Sequence, residues 1–128
     1  MKILGIGVDI VNNKRIHSLI SNKLFINKTF GKNEIKFSKK KVNKINYFAK
    51  RFAAKESFAK SIGTGFRKGL NFRDIEILND RIGKPYFLIS KKIDKVVTKK
   101  FKVKKFNLFL SISDEKEYSI AFTILQTK

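Results

Sequence analysis

Two acidic residues occupy positions where the surrounding sequence favours apolar side chains. Asp9 ends an apolar run that begins at Lys2, and Glu56 lies on the apolar face of a long helical pattern. A carboxylate in or beside a hydrophobic core costs several kcal/mol unless a cation or hydrogen bonds offset its charge. Lys60 follows Glu56 by one helical turn, on the same side of the helix, and is placed to hold a phosphate. Together the three residues predict a metal-dependent site for phosphoryl-type chemistry.

Both carboxylates also have a structural explanation. An Asp at the end of a strand often caps the helix that follows it, and the spacing of Glu56 and Lys60 suits an ordinary salt bridge within one helix. The residues alone leave these alternatives open. The functional interpretation gains weight because Asp9 and Glu56 occur together in one small domain.

A short strand and a long helix are expected to position this pair. The strand covers residues 2–8, where Gly5 and Gly7 would let a ligand or another backbone come close. The helix begins at about Lys40 and ends at Gly63-Thr-Gly65, where a left-handed glycine cap is favoured over a ligand contact. Its apolar stripe comprises Val42, Ile45, Phe48, Phe52, Ala59 and Ile62, and its other sides carry Lys44, Lys50 and Lys55.

The remaining segments complete an α+β pattern. An amphipathic helix is expected over about residues 13–22 with Asn12 or Asn13 as its cap, followed by a loop-rich region with a helical turn near Glu34. Later segments are predicted as strands over residues 72–78, 86–89, 106–113 and 117–125, with a polar helix or loop over about 91–104. Because helices come first and paired strands later, we expect a small antiparallel sheet packed on the long helix.

The composition limits the kinds of site this chain can build. A length of 128 residues fits a single domain over residues 1–128. Cysteine is absent and His17 is the single histidine, which excludes disulfides, a cysteine nucleophile, thiolate zinc sites and histidine clusters. Any metal must therefore be held by oxygen, and carboxylate oxygens suit Mg²⁺.

The net charge of +20 predicts an anionic partner, which can be nucleic acid, a phosphate-rich small molecule or an acidic protein. The lysine runs at residues 39–41 and 99–100 lack the interleaved arginine and aromatic residues of a nucleic-acid reader. A non-catalytic basic module that binds RNA or DNA is the alternative function, and it would be indifferent to Asp9. With no targeting segment and no apolar run of membrane-spanning length, we expect a cytoplasmic protein with no membrane partner.

Two separated segments resemble one known family. Residues 5–16, Gly-Ile-Gly-Val-Asp-Ile-Val-Asn-Asn-Lys-Arg-Ile, and residues 51–60, Arg-Phe-Ala-Ala-Lys-Glu-Ser-Phe-Ala-Lys, are similar to the two signatures of the holo-acyl-carrier-protein synthases. These are the small 4′-phosphopantetheinyl transferases of bacterial fatty-acid synthesis. Further agreement comes from residues 63–65, from 83–85 and from the closing hairpin, so the resemblance covers nearly the whole chain.

The resemblance implies a reaction and a set of catalytic residues. Asp9 and Glu56 would hold Mg²⁺, and Lys60 would clamp a phosphate of coenzyme A. The 4′-phosphopantetheine group would pass to a serine of apo-acyl carrier protein, leaving adenosine 3′,5′-bisphosphate. Either Glu56 or a water would accept the serine proton, and the residues do not decide between them.

The resemblance also implies binding residues and an assembly. Coenzyme A would contact Arg51, Lys60, Gly63, Gly65, Lys84, Pro85 and Ser113. Arg15 would face the acidic carrier protein, and the chain would form a homotrimer with sites between subunits. Asp114 stands where the family commonly has His, which leaves open a homologue that assembles but no longer transfers.

Overall fold

An antiparallel sheet and one long helix form the core of this computed structural model, which describes residues 1–66 and 69–128. The elements are β1 (Ile3–Asn12), α1 (Asn13–Leu19), α2 (Lys23–Thr29), α3 (Lys32–Ser38), α4 (Lys44–Ile62), a 3₁₀ turn (Phe72–Asp74), β2 (Glu76–Asn79), β3 (Pro85–Leu88), α5 (Lys91–Phe101), β4 (Phe106–Asp114) and β5 (Tyr118–Thr127). The main sheet has the order β1-β5-β4, and β2 pairs with β3 in a separate hairpin. The expected α+β class with an antiparallel sheet is confirmed.

The main sheet has one face against α4 and one face exposed. Along β1 the inward positions include Gly7 and Val11, which are buried, whereas Ile6, Val8 and Ile10 point outward. The same alternation runs along β5, where Ala121 and its inward neighbours are buried. Because side chains alternate along a strand, Asp9 shares the inward face with the glycines.

The glycines of β1 set the distance between the sheet and α4. A Cβ on Gly5 would lie 1.8 Å from the Ser61 carbonyl oxygen, and a Cβ on Gly7 would lie 1.9 Å from that of Ser57. Only glycine tolerates so close an approach of another backbone. The sequence allowed a ligand or a backbone at this place, and the backbone of α4 fills it.

Helix α4 ends where the sequence indicates, but it begins at Lys44 and not at about Lys40, so Val42, expected on its apolar stripe, precedes the helix and is fully exposed. The Asn43 side chain caps its first turn by accepting a hydrogen bond from the Asn46 N–H, and Gly63 adopts the left-handed conformation at its end, with φ of 77°. Between Tyr47 and Ile62 the helix is buried on nearly all sides, and the residues that are not buried are Lys50, Glu56 and Lys60. Two of these three are predicted site residues.

Three local predictions need correction. Strand β1 extends to Asn12 because its last residues pair with β5, so Asp9 lies inside the strand opposite Ala121 and does not cap α1. The Asn12 side chain caps α1 instead. Residues 23–29, expected as loop, form α2, whose first turn is capped by Asn22. The first part of the strand expected at 72–78 is the 3₁₀ turn.

Lys55 is the largest discrepancy. It was expected on a solvent-facing side of the long helix, yet it is fully buried and its Nζ lies 2.6 Å from Oε1 of the equally buried Glu34. The Lys55 ammonium also donates to the carbonyl oxygens of Phe72, at 3.0 Å, and of Ile75. A buried lysine is tolerated when its charge and all its donors are satisfied in this way.

No helix among the described residues is long and apolar enough to span a membrane.

Candidate active site

Asp9 and Lys60 meet where β1 crosses the last turns of α4. Lys60 Nζ lies 3.2 Å from Oδ1 of Asp9 and donates a hydrogen bond of 2.9 Å to the Val8 carbonyl oxygen. The close packing of the glycines of β1 against α4 makes this contact possible. The structure shows no salt bridge between Glu56 and Lys60, so an ordinary pair within the helix does not explain Lys60.

Glu56 lies beside the same pair and carries an unfavourable charge. Partial burial raises the pKa of Glu56, and the neighbouring negative charge of Asp9 raises it further. The positive charges of Lys60 and Arg15 act in the opposite direction. Two carboxylates are thus held near each other in a place that is partly shielded from water. The positive charges of Lys60 and Arg15 do not fully compensate their negative charge.

The donor set of this site fits a hard divalent cation. Asp9 and Glu56 supply carboxylate oxygens, and no group of three acidic, histidine or cysteine side chains that could surround a metal occurs within residues 1–66 and 69–128. Mg²⁺ is commonly bound through one or two carboxylates and completes its shell with water and substrate phosphates. The residual negative charge at Glu56 is what such an ion would neutralise.

Arg15 lies at the edge of this carboxylate pair. Its guanidinium carbon is 5.7 Å from the centroid of the Phe52 ring, and its charge acts on Glu56. Helix α1 therefore carries Arg15 close enough to the carboxylate pair for its charge to act on Glu56.

The end of α4 brings in Gly63 and, unexpectedly, Lys100. Gly63 follows Lys60 by three residues, and a Cβ on Gly63 would lie 3.3 Å from Lys100 Nζ. Among the described residues, no atom outside its immediate neighbours lies within 4 Å of the position that a Cβ on Gly65 would take. Sequence reasoning missed Lys100 because it lies in a lysine-rich helix far along the chain, where no local signal separates it from its neighbours.

Arg51 does not belong to this cluster. Its guanidinium group is buried and stacks on the Tyr47 ring, with the guanidinium carbon 3.7 Å from the ring centroid. The same group donates a hydrogen bond to Asn79 Oδ1. The Asn79 amide in turn donates to the Gly83 carbonyl oxygen at 2.9 Å. Burial lowers the pKa of Arg51, and its Nε has no hydrogen-bond partner among the described residues.

A second predicted group is therefore assembled around Arg51. Arg51 and Gly83 line the same cleft of about 470 Å³, and the turn at Gly83 leads directly to Lys84 and Pro85. The lining of this cleft carries more basic than acidic side chains, since Lys41, Lys50 and Arg81 join Arg51 and the one acidic residue among the described ones is Asp80. The structure thus separates the predicted coenzyme A residues of one chain into a group at the end of α4 and a group beside the β2–β3 hairpin.

Ser113 lies apart from both groups. It stands on the exposed face of the main sheet opposite Ile120, whereas Asp9 is on the inward face. The next residue, Asp114, accepts a hydrogen bond from the Asn46 side chain. The carboxylate that replaces the expected histidine is therefore already engaged within the chain.

Several known proteins are similar to this chain over nearly its whole length. A holo-[acyl-carrier-protein] synthase of Pelagibacter ubique is 59% identical over 128 residues, covering both chains completely. One from Orientia tsutsugamushi is 43% identical and covers 96% of each chain. The crystal structure of the Neisseria meningitidis synthase matches with a TM-score of 0.87 and 37% identity, over 98% of this chain and 99% of that one.

A synthase structure from Bacillus anthracis, in complex with CoA (3′,5′-ADP), matches with a TM-score of 0.83 and 32% identity over the full length of both chains. The family model of the 4′-phosphopantetheinyl transferase superfamily matches residues 5–123. That span includes the Asp9, Glu56 and Lys60 cluster, the Arg51 cleft and the closing hairpin. The chain therefore belongs to the 4′-phosphopantetheinyl transferase superfamily.

Proposed function

We propose that this protein is a holo-[acyl-carrier-protein] synthase that transfers 4′-phosphopantetheine from coenzyme A to a serine of apo-acyl carrier protein. The observation that carries the proposal is the placement of Asp9, Glu56 and Lys60 around one point at the end of α4. Relatives that bear this name, one of them 59% identical, and the complex of the Bacillus anthracis synthase with CoA (3′,5′-ADP) support it.

The proposed reaction forms one bond to phosphorus and breaks another. The serine oxygen attacks the phosphorus next to the pantetheine arm, the P–O bond of the diphosphate breaks, and adenosine 3′,5′-bisphosphate leaves. Lys60 would hold a phosphate oxygen in line for this displacement. Asp9 and Glu56 would bind Mg²⁺, which when present supplies positive charge that offsets the charge of the diphosphate.

The serine proton needs an acceptor. Glu56 is one candidate acceptor, because burial and the negative charge of Asp9 raise the pKa of its carboxylate in the metal-free chain. A water molecule is the other candidate acceptor.

Arg15 would bind the acidic carrier protein, while the net charge of +20 would speed its approach. We propose the cytoplasm, where bacterial fatty-acid synthesis supplies the carrier protein, as the location.

A homotrimer would unite the separated groups of binding residues. The exposed face of the main sheet is mostly apolar, with two serines of β4 toward one edge, and its exposed large side chains are Ile6, Val8, Ile10, Phe109, Ile120 and Phe122. A contiguous apolar face of this kind marks an interaction surface. A neighbouring subunit on this face would carry its own Arg51 cleft and Lys84 turn toward the edge where Ser113 lies, which explains why one chain does not assemble them.

Replacing Phe122 by Glu is expected to break up the trimer. The charge would lie at the centre of the apolar face, so the variant should elute as a monomer and lose at least about a hundredfold in transfer rate. Light scattering coupled to size exclusion would measure the mass. Leu24→Glu is the matched control, because Leu24 is 80% exposed on α2, away from the sheet. A fully active wild-type monomer would disprove the trimer.

The transfer itself is tested by the intact mass of the carrier protein. The purified protein is incubated with apo-acyl carrier protein, coenzyme A and Mg²⁺, with and without EDTA. We expect a mass gain of one phosphopantetheine that EDTA abolishes. If the carrier gains no mass while a different transferase modifies it, the proposed activity is wrong.

A further inference from the structure

The ammonium group of Lys100 lies against the end of α4. An added Cβ on Gly63 would be 3.3 Å from Lys100 Nζ, although the two residues come from different helices. Gly63 caps the helix one turn beyond Lys60. Lys100 is therefore a second lysine at the same helix end, brought there by the fold.

The packing of α5 directs Lys100 to this place. Ile93 and Val97 are fully buried and form the inward stripe of the helix. Lys100 continues that stripe at the spacing of one further turn, so it points toward α4, while Lys95 and Lys99 lie on the solvent side. This orientation separates Lys100 from the other lysines of α5.

The C-terminal end of α4 favours a nearby cation. Asp9 and Glu56 contribute two negative charges, Lys60 and Arg15 contribute two positive charges, and the C-terminus of the helix adds a partial negative charge. Lys60 already contacts Asp9 at 3.2 Å. Lys100 forms no salt bridge with any residue that the structure describes, and its ammonium group lies 5.7 Å from the centroid of the Phe101 ring, a contact that leaves its hydrogen-bond donors available to an anionic ligand.

We infer that Lys100 is a further coenzyme A-binding residue, whose ammonium group holds an oxygen of the diphosphate beside Gly63. This inference rests on the proposed function, because it places the diphosphate at the end of α4. Lys100 would share the charge of the diphosphate with Lys60 and keep the phosphate from being repelled by the carboxylates. It takes no part in proton transfer, so it should affect binding more than turnover.

A purely structural role for Lys100 makes a different prediction. A lysine near a helix C-terminus can stabilise the helix through its dipole alone. Loss of that contact would lower the melting temperature and leave the affinity for coenzyme A unchanged. The two roles are therefore separated by measuring stability and binding on the same variants.

The test compares Lys100→Gln with Lys99→Gln, which removes the same charge from the solvent side of the same helix. Lys100→Gln is expected to raise the KM for coenzyme A about fivefold, with kcat changed less than about twofold, and Lys100→Arg should restore most of the loss. Lys99→Gln should match the wild type. Calorimetric titration without carrier protein should show the same loss of affinity for coenzyme A and for dephospho-coenzyme A, because both contain the diphosphate.

Either of two results would overturn the inference. One is a Lys100→Gln variant with the KM and affinity of Lys99→Gln, with or without a lower melting temperature. The other is a loss of affinity confined to coenzyme A, which would assign Lys100 to the 3′-phosphate. In both cases a wild-type protein that modifies the carrier leaves the proposed function intact, whereas an inactive wild type refutes the proposed function itself.

Discussion

Replacing Glu56 by Gln should lower the transfer rate by roughly a thousandfold and, without metal, make the protein more stable. Both effects have one cause. Burial and the nearby Asp9 raise the pKa of Glu56, so the folded protein disfavours its charged form. A raised folded-state pKa contributes stability at low pH that is lost as the pH rises, and at neutral pH the charged carboxylate is a cost. Glutamine removes that cost together with the proposed metal ligand.

Activity and melting temperature are the two measurements for this prediction. Added Mg²⁺ should raise the melting temperature of the wild type and leave that of Glu56→Gln unchanged, because a ligand that binds only the folded state stabilises it. Glu117→Gln is the matched control, since Glu117 is exposed in the β4–β5 turn and should behave as the wild type in both assays. A Glu56→Gln variant that keeps a tenth of the activity, or still responds to Mg²⁺, would contradict the assignment.

The Asp9→Asn variant distinguishes the role of the Asp9 carboxylate from that of Glu56. It should also abolish most of the activity, but its effect on stability differs because Asp9 forms a salt bridge with Lys60 at 3.2 Å. The loss of that pair offsets the relief of repulsion on Glu56, and exposed pairs of this kind are worth about 0.2–1 kcal/mol. Asp9→Asn should therefore change the melting temperature less than Glu56→Gln does.

The parts of the site that sequence reasoning found are those with a local signal. Gly5 and Gly7 within a strand pattern indicate close backbone contact, and Gly63 after a long apolar stripe indicates the end of α4. Asp9 and Glu56 are conspicuous because they interrupt apolar patterns. Each of these inferences needs only neighbouring residues, and the structure agrees with the close contact at the glycines and with the cap at Gly63.

The parts that it missed depend on contacts between distant segments. Lys55 follows the polar spacing of the helix, and its burial is explained by Glu34, which reaches it from α3. Lys100 is one of many lysines in the sequence, and only the fold brings its Nζ beside Gly63 at the end of α4. Arg51 sits close to Glu56 in sequence, but it points toward the β2–β3 hairpin because Asn79 and Tyr47 hold it there. The residues that neighbour a position in the sequence do not show which distant residue will contact it.

The buried Glu34 and Lys55 pair should be the most sensitive point of the fold. Glu34 Oε1 lies 2.6 Å from Lys55 Nζ, and both side chains have an exposed fraction of 0%. Lys55→Met would leave the Glu34 carboxylate buried without a cation, which should lower the free energy of unfolding by about 3–5 kcal/mol. Urea unfolding measures the loss, and Lys50→Met, a half-buried lysine of the same helix, should cost less than about 1 kcal/mol.

The double variant Glu34→Gln with Lys55→Met identifies the cause. The Glu34 carboxylate also accepts hydrogen bonds from the backbone N–H groups of Gly31, at 2.9 Å, and Ile77, at 3.0 Å. Glutamine keeps one acceptor oxygen and removes the charge, so the double variant should be more stable than Lys55→Met alone. If it is not, lost packing and not the unpaired charge explains the effect.

The pair also fixes how α4 presents the site. Lys55 is anchored to Glu34 and to the carbonyl oxygens of Phe72 and Ile75, so α4 cannot rotate about its axis without breaking this network. Glu56, the next residue, is thereby turned toward β1 and Asp9. A Lys55→Met protein that stays folded at low temperature should consequently lose transfer activity relative to the wild type, although Lys55 touches neither the carboxylate cluster nor the solvent.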